Sequence, residues 1–215
     1  MALTLHFHPL SSYCQKALIA LYENDTPFER HVLDLLDESV RARFKALWPL
    51  GKMPVLRDEA KDRTIPEATI IIEYLAALYP GKTELVPRDP ELAWQTRLRD
   101  RFYDLYVSTP MQKIVLDKLR PEEKRDLYGV EEAKTALATA YGIIEQEMAT
   151  KTWAVGEKFG MADCAAAPAL YFANLVVPLG DTYKNAAAYL DRLMRRPSFA
   201  RACEEAEPYR KMFPG

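Results

Sequence analysis

The residues best placed to do chemistry are two adjacent hydroxyls, Ser11 and Ser12, in the segment LSSYCQK at residues 10–16. This segment joins an alternating, strand-like run at residues 3–8 to a helical run at residues 11–23. Free amides at a helix N-terminus favour an anion, and a hydroxyl there can donate one more hydrogen bond to it. A serine in this place can also simply cap the helix. The segment therefore predicts either an anion site or an ordinary N-cap.

Two further segments carry groups that a ligand could use. Pro54 opens a predicted strand, and the bond between Met53 and a proline in such a turn can be cis. A cis bond would turn the Met53 N–H and C=O toward a peptide-like ligand; the alternative is an ordinary edge-strand proline. Glu67 begins a predicted helix. Beside a ligand its carboxylate would accept an ammonium group, and otherwise it is a routine acid in a first helical turn.

The elements that must position these groups follow two different patterns. Residues 1–80 alternate short strand-like and helical runs in the order β-α-β-α-β-β-α. Strand–helix–strand units favour parallel pairing, and the last two strands, joined by a short polar turn, favour an antiparallel hairpin. Residues 81–90 are polar, proline-punctuated and aperiodic, which is typical of a linker. Residues 91–215 predict an all-α domain, with helical runs at 91–119, 121–150, 162–176, 186–195 and 198–205.

Composition excludes several classes of function. The 215 residues include 29 Lys plus Arg and 31 Asp plus Glu, so the chain lacks the basic excess of a nucleic-acid-binding surface. No apolar run approaches the roughly 20 residues of a membrane span, and the N-terminal segment lacks the features of a secretory signal. Three scattered cysteines do not make a disulfide framework or a metal knuckle. We expect a cytoplasmic protein that binds neither nucleic acid nor membrane.

The order and spacing of these segments resemble those of the cytosolic glutathione transferase superfamily. Its N-terminal serine motif is similar to residues 11–16, and alignment on Ile19-Ala20-Leu21 places the catalytic serine on Ser11, with Ser12 as second choice. Its cis-proline turn resembles Met53-Pro54, and its acidic–serine pair falls on Glu67-Ala68. A fourth match, Gly160-Met161-Ala162-Asp163, is similar to the N-capping box of the family's buried helix.

The resemblance covers essentially the whole chain and implies a thioredoxin-like domain followed by a helical domain. It implies glutathione as co-substrate, no metal, a homodimer, and a role in detoxification, with Ser11 donating a hydrogen bond to the glutathione thiolate. The glutathione-binding set that it implies is Lys52, Met53, Pro54, Glu67, Ala68 and Thr69. The small hydrophobic electrophile is expected against Tyr13, Tyr103, Tyr106 and Val107.

Some of these assignments have structural alternatives. Lys52 is equally explained as a solvated surface lysine. Tyr103, Tyr106 and Val107 could belong to the helical core. Ala68 departs from the family pattern because it lacks the serine hydroxyl that holds the γ-glutamyl carboxylate, so Thr69 or backbone N–H groups must substitute. Gly160 replaces the usual Ser or Thr of the capping box and leaves Asp163 to satisfy the backbone donors alone; glycine is a tolerable N-cap.

Other functions remain open at this point. Isomerisation and dehalogenation use the same glutathione thiolate, and Ala68 favours a non-catalytic ligand- or partner-binding protein. Thiol transfer is a minor alternative, because Ser11 stands where a redox motif ending at Cys14 would need its attacking cysteine. His6 and His8 share one strand face, but no third ligand at a known spacing supports a metal site. A serine hydrolase is disfavoured because the chain has no G-x-S-x-G motif.

Overall fold

The N-terminal part of the chain is built on a mixed four-stranded sheet with the order β2-β1-β3-β4. The computed structural model describes residues 2–34 and 36–214, so the outer limits of the predicted domains, residues 1 and 215, lie outside the described residues. The strands are β1 (Leu3–Phe7), β2 (Glu29–Val32), β3 (Val55–Asp58) and β4 (Arg63–Pro66). The helices between and after them are α1 (Ser12–Glu23), α2 (Glu38–Leu47) and α3 (Ala68–Leu78). The predicted α/β order is confirmed.

Strand direction follows the prediction in two of three pairings. β1 is parallel to β2, and β3 and β4 form the expected antiparallel hairpin. β3, however, is antiparallel to β1, so the expectation of parallel pairing is wrong for the second strand–helix–strand unit. Between α2 and β3 a hydrogen-bonded turn joins the Gly51 N–H to the Trp48 C=O at 2.8 Å. Gly51 has φ +61°, a left-handed conformation open to glycine, and this turn redirects the chain before β3.

The rest of the chain is helical, as predicted. It comprises α4 (Pro90–Phe102), a π-helical stretch (Tyr103–Ser108), α5 (Thr109–Lys118), α6 (Leu127–Met148), α7 (Met161–Val176), α8 (Lys184–Met194) and α9 (Pro197–Ala206). Residues 79–89, between α3 and α4, form neither helix nor strand.

One helix begins later than predicted. Residues 121–150 were expected to form one helix, but Glu122–Lys124 forms only a 3-10 turn and α6 starts at Leu127. The reason is a stronger cap further on, where Asp126 Oδ1 accepts the Gly129 N–H at 2.9 Å.

The core runs through both parts of the molecule. Leu3, Leu5 and Phe7 of β1 are buried while the alternate residues are half-buried, which matches the predicted period of two. The first ten residues of α7, 161–170, are all buried, and α7 packs directly on α1. This packing fixes α1, and the turn that precedes it, against the helical part. Among the described residues, no helix combines the length and the hydrophobicity needed to cross a bilayer.

Candidate functional site

Ser11 stands at the N-terminus of α1, directly after β1. It is the N-cap residue, with extended backbone, and its Oγ accepts the Cys14 N–H at a long distance of 3.4 Å. An accepting hydroxyl keeps its own hydrogen, so Ser11 can still donate to a ligand. Ser12 is only 6% exposed, whereas Ser11 is half-buried. Of the two serines, Ser11 is the more accessible donor at this helix end.

A cavity of about 420 Å³ lies between the sheet-containing part and the helical part of the molecule. Five of the six predicted glutathione-binding residues line it, together with Tyr13: Lys52, Met53, Pro54, Glu67 and Ala68. The Met53–Pro54 peptide bond is cis. The helical part contributes Arg101, Asp104, Leu105, Thr109 and Gln112, which the sequence analysis did not single out. Ser11 is not among the lining residues; it precedes Tyr13 by two positions.

Glu67 adopts a backbone conformation that is rare for its residue type. It has φ +69°, in the left-handed region, which costs a non-glycine residue about 1–3 kcal/mol. Its side chain is exposed and makes no capping hydrogen bond to α3. The carboxylate is therefore available at the cavity rather than used as a helix cap. Strain of this kind concentrates at ligand sites, where the surrounding structure maintains it.

A buried cluster of charges joins α1 to α4 and reaches the cavity through Asp104. Lys16, 1% exposed, places its Nζ 2.6 Å from Asp100 Oδ1 and 2.8 Å from Asp104 Oδ2. Arg101, about half exposed, contacts both carboxylates as well. Two acids thus face two cations, the balance that burial of charge demands. Burial nonetheless raises the pKa of Asp104, opposed by Lys16.

Thr69 belongs to this cluster and not to the cavity wall. Its Oγ1 accepts from Lys16 Nζ at 2.8 Å and donates to Asp100 Oδ2 at 2.7 Å. Both hydrogen bonds are inside the protein, so the suggested substitution of Thr69 for the missing serine hydroxyl of position 68 has no support in its contacts. The sequence contained a signal for the cluster, because Asp100 and Asp104 lie four residues apart on one helix face.

The four residues predicted to contact the electrophile do not lie together in the structure. Tyr103 and Val107, 1% and 0% exposed, lie in the helical core and offer no surface to a ligand. Tyr106 is 59% exposed, packs on Phe102 with ring centroids 5.6 Å apart, and is not among the lining residues. The core role that the sequence left open is thus the one observed for Tyr103 and Val107. From the same stretch of helix, Leu105 faces the cavity instead.

Tyr13, the remaining residue of that set, lines the cavity and is anchored to the helical part. Its hydroxyl donates to the Asp104 C=O at 3.3 Å, and Thr109 Oγ1 donates to the same oxygen at 3.0 Å. Burial, reinforced by the charge of Asp104, raises the pKa of Tyr13 to about 12. Tyr13 is therefore a neutral phenol near pH 7. Its contact lies in the π-helical stretch, a local widening that often occurs at functional sites.

Cys14 is completely buried in the core. Burial raises the pKa of its thiol to about 12. Since the thiolate is the reactive form of cysteine, a buried neutral thiol is not a nucleophile. The thiol-transfer alternative has no accessible sulfur in this turn.

At the N-terminus of α7, Asp163 and the Leu85 C=O accept the backbone donors beside Gly160. Asp163 Oδ2 accepts the Gly160 N–H and Oδ1 accepts the Ala154 N–H, both at 2.9 Å. The Tyr189 hydroxyl also donates to Oδ1, at 2.5 Å. A Cβ at Gly160 would lie 3.2 Å from the Leu85 C=O, which is a tight contact. Close passage of the chain at Leu85 thus explains the glycine. Asp163 accepts the Gly160 N–H, but the Met161 N–H donates to the Leu85 C=O at 2.8 Å, so the expectation that Asp163 satisfies the backbone donors alone is wrong.

Comparison with family models gives two matches that follow the division seen in the structure. The model described as "Glutathione S-transferase, N-terminal domain" matches residues 5–83. The model described as "Glutathione S-transferase, C-terminal domain" matches residues 106–197.

Individual relatives and solved structures agree with the family models. The chain is 28% identical over 164 residues to glutathione S-transferase GstB of Escherichia coli strain K12, covering 75% of this chain and 78% of that protein. It is 30% identical over 171 residues to a probable maleylacetoacetate isomerase of Caenorhabditis elegans, covering 76% and 75%. A glutathione S-transferase of Methylobacterium radiotolerans, solved in complex with glutathione sulfonate, is 26% identical, with a TM-score of 0.79 over 93% of each chain. The chain therefore belongs to the glutathione S-transferase superfamily.

Proposed function

We propose that this protein is a serine-type glutathione transferase that binds glutathione in the cavity between its two parts and stabilises the thiolate beside Ser11. The observation that carries the proposal is the cavity lining. Two separate segments that the family resemblance assigns to the tripeptide, Lys52-Met53-Pro54 and Glu67-Ala68, line one cavity together with Tyr13, two residues after Ser11. The related M. radiotolerans protein was solved with a glutathione derivative.

The proposed role of Ser11 is electrostatic. Its hydroxyl stays protonated near pH 7, so it cannot act as a general base. Together with the amides at the α1 N-terminus it can donate a hydrogen bond to a thiolate. Lowering a thiol pKa by about 2 from about 8.5 raises the thiolate fraction near pH 7 from a few per cent to about three quarters. The gain in reactive species is about 25-fold. The remaining acceleration must come from placing the electrophile within reach of the sulfur.

The cavity residues have distinct proposed contacts with the tripeptide. The Met53 backbone pairs with the cysteinyl unit, and Glu67 accepts the γ-glutamyl ammonium. The Ala68 N–H binds the γ-glutamyl carboxylate at the N-terminus of α3, in place of a serine hydroxyl. Lys52, which is exposed at the cavity rim, pairs with the glycine carboxylate.

The electrophile is proposed to lie against the helical side of the same cavity, where Leu105, Thr109 and Gln112 join Tyr13. A small hydrophobic electrophile fits the Tyr13 ring and Leu105.

The C. elegans relative favours a second candidate, glutathione-dependent isomerisation, which uses the same thiolate. A conjugating enzyme consumes glutathione stoichiometrically, whereas an isomerase regenerates it, so the glutathione balance of a reaction separates the two. The proposal includes a cytoplasmic homodimer and a role in detoxification, and sedimentation tests the dimer.

The proposal is tested by calorimetry with glutathione and with S-methylglutathione, whose sulfur cannot ionise, on the native protein and on Ser11→Ala. We expect both proteins to bind S-methylglutathione equally. The ultraviolet absorbance of bound thiolate should titrate at higher pH in Ser11→Ala, and its chlorodinitrobenzene turnover should fall about ten- to a thousandfold. Ser12→Ala is the matched control and should lose less. Absence of glutathione binding at millimolar concentration, or full activity in Ser11→Ala, would contradict the proposal.

A further inference from the structure

Arg101 keeps one nitrogen of its guanidinium free at the wall of the cavity. Its Nε and Nη2 donate to Asp100 Oδ2 at 3.2 and 3.0 Å, and Nη2 also contacts Asp104 and Thr69. Nη1, by contrast, donates to no residue that the structure describes. The side chain is 48% exposed and lines the cavity. The two hydrogens of Nη1 are therefore available to a ligand.

This guanidinium lies where α3 begins. Arg101 contacts Thr69, the second residue of α3, and Ala68, the first residue, lines the cavity with it. Three residues further along the same wall, the Asp104 C=O accepts the Tyr13 hydroxyl from α1 at 3.3 Å. A ligand that reaches from the start of α1 to the start of α3 would thus end beside Arg101.

The proposed ligand carries two opposite charges at that end. The γ-glutamyl unit of glutathione has an ammonium and a carboxylate on one carbon atom, so Glu67, the proposed partner of the ammonium, would repel the carboxylate. Ala68 offers the carboxylate only its N–H, because its side chain has no hydroxyl. A carboxylate can accept about four hydrogen bonds, and those from a cation are the strongest. The carboxylate therefore requires a cation beside Ala68.

Arg101 is the cation best placed for this role. Of the described residues that line the cavity, Lys52 and Arg101 are the cationic ones, and Arg101 contacts the first turn of α3. Its guanidinium is already held by Asp100 and Asp104, so little side-chain freedom is lost when a ligand binds. Buried Lys16 gives these two carboxylates a second cation. The cluster thus fixes Arg101 in place and leaves Nη1 for the ligand.

We propose that Arg101 binds the γ-glutamyl carboxylate of glutathione through Nη1 and supplies the side-chain donor that Ala68 lacks. Specificity at this end of the tripeptide is then set by a charged residue of α4 and not by a hydroxyl at the start of α3. The inference rests on the proposed function, because only a ligand held in the cavity brings a carboxylate to Arg101.

Two analogues of glutathione separate the charges of the γ-glutamyl unit. In the 4-aminobutanoyl analogue hydrogen replaces the carboxylate, and in the glutaryl analogue hydrogen replaces the ammonium. In calorimetry on the full chain, the native protein should bind the 4-aminobutanoyl analogue at least about tenfold more weakly than glutathione, the effect of one hydrogen bond between charged groups. Arg101→Met should weaken binding of glutathione and of the glutaryl analogue about tenfold and leave that of the 4-aminobutanoyl analogue unchanged.

Arg97→Met is the matched control. Arg97 lies one turn earlier on α4, is also 48% exposed, and holds α4 to α3 by two hydrogen bonds to Glu73, at 2.7 and 2.9 Å. It is not among the residues that line the cavity, so this variant should bind all three ligands like the native protein. Equal weakening of all three ligands in Arg101→Met would indicate a displaced helix and would overturn the proposal.

Restoring the hydroxyl at position 68 gives an independent test. Ala68→Ser, added to Arg101→Met, should recover most of the lost affinity for glutathione and none for the 4-aminobutanoyl analogue. On the native chain, the Arg101 side-chain NMR signals should shift with glutathione and the glutaryl analogue but not with the 4-aminobutanoyl analogue; equal shifts with all three would overturn the proposal.

The same measurements separate this inference from the proposed function. If Arg101→Met bound glutathione as tightly as the native protein, the role of Arg101 would be overturned and the transferase proposal would stand. If the native protein did not bind glutathione at millimolar concentration, the transferase proposal would fail and the inference with it.

Discussion

The two ends of α1 are both fixed to the helical part by buried charges, but the two clusters are built differently. At the N-terminal end Lys16 lies between two carboxylates and Arg101 adds a second, half-exposed cation. At the C-terminal end a single carboxylate, Glu23, accepts two hydrogen bonds from Arg196, one from Ser198 at 2.5 Å and one from Thr83 at 3.2 Å.

The pKa of Glu23 and the pKa of Asp104 are shifted in opposite directions, which reflects the different construction of the two clusters. Burial would raise the pKa of Glu23, but the hydrogen bonds from Arg196 and Ser198 hold it below its ordinary value. For Asp104 burial prevails and the pKa is raised. At Glu23 the hydrogen bonds thus outweigh the effect of burial, whereas at Asp104, which lines the cavity between the two parts, burial outweighs the effect of the nearby cations. Both ends hold α1 against the helical part, and the N-terminal end also borders the cavity where we propose that glutathione binds.

Removing the cation of the N-terminal cluster should have the largest effect on stability. Lys16→Met leaves Asp100 and Asp104 buried with only the half-exposed Arg101, and breaking a buried ion pair in this way costs about 3–5 kcal/mol. A carboxyl with a raised pKa loses stability as pH rises, so the loss should be larger near pH 7 than at acid pH. Urea unfolding at both pH values measures it.

The control for this variant is the pair Lys16→Met with Asp104→Asn. It removes one charge of each sign and should recover part of the loss, because the remaining carboxylate still has Arg101 nearby. A single variant as stable as the native protein would show that the N-terminal cluster contributes no more than a surface ion pair.

Glu23→Gln should have the second-largest effect, about 2–3 kcal/mol at neutral pH, because one amide cannot accept all four hydrogen bonds. A carboxyl with a lowered pKa contributes stability that is present above its unfolded value, 4.5, and lost as pH falls below it. The difference in free energy of unfolding between the native and variant proteins should therefore shrink progressively as pH falls below 4.5. The control, Asp25→Asn, removes an exposed ion pair with Lys82 and should cost under about 0.5 kcal/mol. If the difference in free energy of unfolding did not change with pH, the hydrogen bonds would not hold the pKa of Glu23 below its ordinary value.

The sequence predicted what depends on local pattern. Alternation of apolar residues located β1, and Ser11 before a helical run located the start of α1. The Asp163 cap of α7 was equally local, because its carboxylate acts on backbone three residues away. These features can be predicted without knowing which elements pack together.

What the sequence did not predict depends on packing between distant segments. Helical periodicity placed Tyr103 and Val107 on an apolar face, but only the position of α7 decides that this face is core. The sequence did not show that the Thr69 hydroxyl is already hydrogen-bonded within the protein, because its partners Lys16 and Asp100 lie 53 and 31 residues away in the chain. β3 pairs antiparallel with β1, placing Leu5 opposite Leu56, and periodicity does not describe a pairing between segments so far apart in the chain.

The smallest expected change in stability is at Ser11, and it is the one that separates a site from a cap. Its capping bond is long, so Ser11→Ala should cost only about 0.5 kcal/mol, and Ser11→Gly a few tenths, because glycine is a tolerable N-cap. Both variants lose the hydroxyl, so both should lose turnover about ten- to a thousandfold if that hydroxyl holds the thiolate. Urea midpoints and conjugation rates of the pair measure the two effects side by side. If Ser11→Gly keeps its activity while Ser11→Ala loses it in step with stability, the residue is a cap, and the two ends of α1 differ only in how their charges are buried.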